Sequence, residues 1–71
     1  MTQAQIRVNG QSETLGGQTT LEALLVEKAV DVGARGIAVA LNGAVVPRSA
    51  WPATQLRPGD SVEIVRARQG G

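Results

Sequence analysis

The sequence predicts a small α+β domain: a mixed sheet of four to five strands, one main helix across one face, and a flexible Gly-Gly tail. Three observations carry this. Asn-Gly pairs stand at 9–10 and 42–43 beside short stretches that alternate in polarity, a strong local sign of tight β-turns. Between them one segment places Leu21, Leu24, Leu25 and Ala29 at helical spacing. A chain of 71 residues has room for one core and no second domain.

The elements follow in order. Gln5 to Asn9 sets Ile6 and Val8 against polar neighbours, a half-buried strand. Asn9 and Gly10 both tolerate the positive φ of a primed turn, so Ser12 to Leu15 returns as a second strand, stopped by Gly16-Gly17. Thr19, with Glu22 three residues on, reads as a capping box, and the helix runs from about Thr20 to Ala29. Asp31 to Gly36 is connecting loop. Ile37, Val39 and Leu41 then put large side chains on one face of a strand, leaving only the methyls of Ala38 and Ala40 on the other.

After Asn42-Gly43 comes a short strand, Val45-Val46, closed by Pro47, which cannot donate to a ladder. Ser49 to Trp51 forms one helical turn capped by Ser49. Arg57-Pro58-Gly59-Asp60 is a turn, and Ser61 to Arg66 is the last strand, with Val62 and Ile64 facing in. Nothing in Ala67 to Gly71 would hold it in place, so a domain over residues 1–66 and a mobile tail over 67–71 are expected. A hairpin, a helix and further strands, joined right-handedly, leave few topologies. One of them, with the first and last strands parallel at the sheet centre, is the β-grasp.

Composition narrows the function. With 0 His and 0 Cys, the chain lacks a thiolate nucleophile, an imidazole base and the usual zinc or iron ligands. It is expected to be no enzyme and to bind no cofactor of its own. Without cysteine it forms no disulfide, so a reducing, cytoplasmic compartment is expected. Net charge is +1 and Trp51 is the only aromatic residue, so no nucleic-acid partner is expected. The longest near-apolar stretch, Gly36 to Leu41, cannot span a bilayer, and no basic segment leads into an apolar one at the N-terminus. Neither a membrane nor a signal peptide is expected.

The chemistry is therefore expected at Gly70-Gly71. A carboxylate on a slim tail threads a narrow channel into a partner's active site, where any Cβ would clash. An ATP-using enzyme can make the Gly71 carboxylate attack the α-phosphate, giving an acyl-adenylate. A sulfur nucleophile can then displace AMP and leave a thiocarboxylate, or a thiol can capture the acyl group for conjugation. Nothing in this chain catalyses either step, so the catalysts are partners.

Three segments carry a resemblance to a known family: Thr20 to Leu25, Ala40 to Trp51, and Gly59 to Val65 with terminal Gly70-Gly71. Asn42-Gly43-Ala44-Val45-Val46-Pro47-Arg48, with Trp51 three residues later, is the most specific part. The chain resembles the ubiquitin-like β-grasp sulfur carriers, and among them the ThiS type of thiamin thiazole synthesis. The resemblance implies that an E1-like adenylyltransferase activates Gly71 with ATP, and that a cysteine-derived persulfide is the ultimate sulfur donor. The resulting thiocarboxylate would serve thiazole synthase. Alternatives are a carrier for another pathway, of molybdopterin type or for amino-acid biosynthesis, a ubiquitin-like modifier conjugated through Gly71, or a plain interaction module. The approach Arg66-Ala67-Arg68-Gln69 lacks the aromatic and proline-rich character of the molybdopterin type and is less hydrophobic than is common in the ThiS type.

Other marked residues are expected to contact partners. Residues 45–71 hold Arg48, Arg57, Arg66 and Arg68 against Asp60 and Glu63, a net +2 that would either steer the tail to an acidic entrance or serve as a solvated edge whose arginines keep a strand from aggregating. Arg66, Arg68 and Gln69 flank the tail, with Gly70 as its slim approach to Gly71. Val65 points opposite to Val62 and Ile64 and would join Ala38 and Ala40 in an apolar patch away from the helix. Trp51 reads as a lid over the core, with a docking contact as the alternative. Lys28 is the only lysine, so the chain is poorly furnished to build chains on itself.

Overall fold

In the computed structural model, which describes residues 4–16 and 20–66, five strands form one mixed sheet. They are β1 (Gln5–Val8), β2 (Gln11–Thr14), β3 (Ile37–Leu41), β4 (Ala44–Val46) and β5 (Ser61–Arg66). Their order across the sheet is β2-β1-β5-β3-β4. β1 and β5 pair in parallel, whereas β1–β2, β3–β4 and β3–β5 pair antiparallel. The first and last strands thus lie side by side at the middle, as the β-grasp requires.

Both Asn-Gly turns are two-residue hairpins. Asn9 and Gly10 have φ of 52° and 85°, Asn42 and Gly43 have 52° and 87°, the left-handed pair of a type I′ turn. They set the registers Val8↔Gln11 and Leu41↔Ala44. Each asparagine also ties its hairpin to β5. Asn9 Oδ1 accepts from the Ile64 amide at 2.7 Å. Asn42 Oδ1 accepts from the Ser61 amide at 2.9 Å, and its Nδ2 donates to Asp60 Oδ1 at 3.0 Å. β5 is thereby clasped from both sides.

The helix α1 (Leu21–Glu27) lies against one face, burying Leu21, Leu24 and Leu25 beside Ile6, Val39 and Val62. It is shorter than the periodicity predicts, and its cap is Thr20 rather than Thr19. Thr20 has extended backbone (φ −114°, ψ 160°), and its hydroxyl accepts from the Ala23 amide at 3.1 Å. Tertiary bonds locate the cap: Thr20 bridges to Gln55, and the Leu21 amide donates to the Thr54 carbonyl at 2.8 Å. Glu22 is then one step inside the first turn, where its charge still faces the positive end of the helix dipole.

The other end is a Schellman motif. The Ala29 amide donates to the Val26 carbonyl and the Val30 amide to that of Leu25, at 3.0 and 2.9 Å. Ala29 takes φ +60°, the position that glycine usually fills, and so leaves the helix. Val30 then turns back into the core beside Leu25.

A six-residue 3-10 helix, Arg48–Ala53, carries Trp51 over the opposite end of the core. It begins after Pro47, whose φ of −59° suits a helical start, and has no side-chain cap. Ser49 therefore sits within it instead of capping it. Trp51 is 2% exposed, and its indole N–H donates to the Val46 carbonyl at 2.9 Å. The Arg48 guanidinium lies over this ring, 4.7 Å from its centroid, and donates to the carbonyls of Val32 and Ala34. It thereby pins the loop that leads from α1 to β3. Among the described residues, no buried side-chain nitrogen or oxygen lacks a hydrogen-bond partner.

Candidate functional site

β5 is central in the sheet, and its last residue, Arg66, is where the described chain stops before Ala67 to Gly71. The surfaces at this end of β5 are therefore what the tail departs from. Strand alternation divides them between the two faces of the sheet.

Among the described residues, the face away from α1 is open. Antiparallel pairing sets Val65 opposite Ala38, and Ala40 opposite both Glu63 on β5 and Val45 on β4. Directly opposed residues share a face, so Val65, Ala38, Ala40 and Val45 form one apolar strip, with Glu63 flanking Ala40 on the β5 side. Val65 is 60% exposed and Val45 74% exposed. The expected grouping of Val65 with Ala38 and Ala40 is thus in place, and Val45 extends it to the sheet edge. Sequence reading missed Val45, although its signal was present: a two-residue turn at Asn42-Gly43 already dictates Ala40↔Val45.

Arg66 does not belong to that strip. It pairs with Ile37 on the helix-side face and lines a cleft of about 520 Å³ with Ile64, Val8, Asn9, Gln11, Val30, Glu13 and Lys28. The Lys28 ammonium and the Glu13 carboxylate form an ion pair there, joining the end of α1 to β2. Val65 and Arg66, neighbours in sequence, therefore address opposite sides of the molecule. The other expected contacts, Arg68 and Gln69, and the chemical positions Gly70 and Gly71, lie outside the described residues, as does Thr19.

The described residues offer little chemistry of their own. No group of three or more carboxylate, histidine or cysteine side chains among them is arranged to hold a metal ion. No described helix is long and apolar enough to cross a membrane. What the arrangement provides is an exposed apolar strip beside the end of β5.

Comparison with known proteins agrees with this geometry. A model of the ThiS family matches residues 6–71. The crystal structure of the thiamine biosynthesis protein ThiS from Geobacter metallireducens is 35% identical and superposes with a TM-score of 0.78, covering 94% of this chain and 99% of that one. A solution structure of a thiamine biosynthesis protein from the same organism, also 35% identical, gives 0.75 over 94% and 87% of the two chains. A thiazole synthase from Paramagnetospirillum magneticum is 38% identical over 64 residues, which is 90% of this chain and 19% of that protein.

Proposed function

The chain belongs to the ThiS family, and on that premise we propose that it is a sulfur carrier for thiamin biosynthesis, acting through the carboxyl group of Gly71. It is a carrier and not a catalyst: the chemistry is done to it. One observation carries the reading. The family match continues past the last strand through Gly70 and Gly71, joining the β-grasp body to a side-chain-free end.

In this reading an E1-like adenylyltransferase binds ATP, and a Gly71 carboxylate oxygen attacks the α-phosphate, releasing pyrophosphate. The outer sulfur of a cysteine-derived persulfide attacks the Gly71 carbonyl and AMP leaves; a thiol then cleaves the S–S bond of the resulting acyl disulfide, forming a new disulfide and releasing the Gly71 thiocarboxylate. The chain itself holds no cofactor. Thiazole synthase then takes the sulfur, and Gly71 returns to a carboxylate. That partner is supported by the Paramagnetospirillum magneticum thiazole synthase, of which this chain spans only 19% of the length. A domain like this one and a much longer remainder share that polypeptide. The cytoplasm, where ATP and reduced sulfur are available, is the compartment this chemistry needs.

The body contributes position. The strip of Val65, Ala38, Ala40 and Val45 docks on a partner and aims the tail, while Arg66, Arg68 and Gln69 guide its approach and Gly70 lets it enter a narrow channel.

The test exploits the 0 Cys composition. The chain is isolated from its own cells, treated with a thiol-selective alkylating reagent and weighed intact. A labelled species, heavier before labelling by the difference between sulfur and oxygen, is the expected result. An unlabelled chain of unmodified mass, even after incubation with the activating enzyme, ATP and a persulfide donor, overturns the reading. Unlabelled chains joined to other proteins through Gly71 make it a modifier instead.

A further inference from the structure

Pleating gives the end of β5 a second side, and a cleft lies on it. α1 ends at Glu27, and beside its end the cleft of about 520 Å³ opens, a size within the range of ordinary ligand sites. Its apolar part is Val8, Val30 and Ile64. Val8 and Val30 are 6% and 5% exposed, so their packing into the core fixes this surface in place. The bond from the Ile64 amide to the Asn9 side-chain oxygen, 2.7 Å long, ties the first hairpin to β5 beside it. Three charges stand on the rim, and Lys28 and Glu13 satisfy each other. The third, Arg66, has no ion-pair or hydrogen-bond partner among the described residues. Such a surface suits an aliphatic side chain beside a carboxylate: the apolar part takes the chain, and the planar guanidinium takes both oxygens. A polyanion would need more than one free cation.

Chain length says what comes near it. Five residues follow Arg66, at most about 16–18 Å of chain at roughly 3.3–3.6 Å each. A protein that holds the Gly71 carboxylate therefore places its own atoms within that distance of the end of β5, where Val65 and Arg66 adjoin on opposite faces. Resting on the reading that a partner enzyme charges Gly71, we propose that the cleft is a second docking surface. It takes an acidic, aliphatic segment of the protein that holds the end of the chain. That protein straddles the sheet, one part against the strip of Val65 and another against Ile64 and Arg66. Gln11, an exposed residue of β2 that lines the same cleft, is then a specificity-determining residue. It keeps the rim free of a further carboxylate, which would repel the acidic segment.

The test titrates the isotope-labelled full-length chain with the peptide acetyl-Leu-Glu-Leu-Glu-amide and follows its backbone amides by NMR. Shift changes are expected at Val8, Gln11, Val30, Ile64 and Arg66, and not at Ala38, Ala40, Val45 or Val65. Gln11→Lys is expected to tighten binding and Gln11→Glu to weaken it, each about two- to five-fold, the worth of one exposed charge pair. Opposite signs at one exposed position rule out misfolding as the cause. The peptide with glutamine in place of glutamate, and acetate alone, are expected to leave the cleft unshifted. Changes confined to the strip, equal changes with acetate, or indifference to the charge at position 11 overturn the proposal. So do cleft amides that shift with protein concentration before peptide is added, which give the cleft to a second copy. The Gln11 variants are then compared as substrates of the adenylating enzyme and of thiazole synthase. A raised KM at unchanged kcat for Gln11→Glu is expected with at least one of them, and an unchanged KM with both overturns the proposal. Failure of the wild-type chain to be adenylated sinks the carrier reading, while the peptide titration still decides the cleft.

Discussion

Val62 and Val65 are the same side chain three residues apart in one strand, yet they belong to different environments. Val62 is 0% exposed under α1, whereas Val65 is 60% exposed on the bare face. Pleating alone makes the difference, because successive residues point to opposite sides. The contrast teaches that β5 does two jobs with one alternation. Its inward residues hold the fold together, and its outward residues remain available to another protein. A residue's worth to stability and its worth to function are here separated by position, so the two can be altered one at a time.

The largest expected effect breaks the inner side. Val62→Ala should lower unfolding free energy by about 2–3 kcal/mol, from lost burial and the cavity left behind. That is a large part of the roughly 3–5 kcal/mol that a core of this size supplies, and urea unfolding would show it as a lowered midpoint. Next, Asn42→Gly keeps the positive φ of the turn while removing both side-chain bonds to the β5 end. It should cost about 1–2 kcal/mol, and Asn9→Gly, which removes one bond, about 1 kcal/mol. Equal costs would mean that the turns hold β5 through backbone pairing alone.

Ala29→Gly works in the other direction. Relief of the left-handed alanine at the helix end should stabilise by about 0.5–1 kcal/mol, strengthening the covered face without touching the bare one. The smallest stability effect is expected at Val65→Asp, within about 0.5 kcal/mol of wild type. If the proposed carrier role holds, the same variant should weaken binding to an adenylating enzyme or to thiazole synthase, measured as a raised KM at full fold. Loss of fold in Val65→Asp would erase the distinction between the two faces.

Much of this was legible in the residues because the signals are local. The Asn-Gly pairs announce their turns, alternation announces the strands, and a lone tryptophan near a proline-bounded turn becomes the core lid. What escaped depends on partners distant in sequence. The helix begins at Thr20 because Thr20 and Leu21 are held by Gln55 and Thr54, which no helical periodicity reveals. It ends at an alanine because packing of Val30 against Leu25 outweighs the local preference for glycine. The asparagine side chains reach β5 across 55 and 19 positions of sequence. For the candidate site, the strip could be drawn from pleating and register, with Val45 overlooked only because the register was not carried across the turn. Arg66 falls on the opposite face from Val65 by the same pleating, so neighbours grouped by sequence were parted by geometry.

The place of β5 in the sheet also governs when the molecule can come into being. Synthesis delivers β2-β1 and β3-β4 first, as two separate hairpins, and an isolated hairpin is marginal in water. Both must wait for Ser61 to Arg66, the strand that each pairs with. The pairing of β1 with β5 spans most of the chain, a long-range closure of the kind that slows folding. A chain truncated before Ser61 cannot join its halves, so an interrupted product would never assemble the strip of Val65, Ala38, Ala40 and Val45.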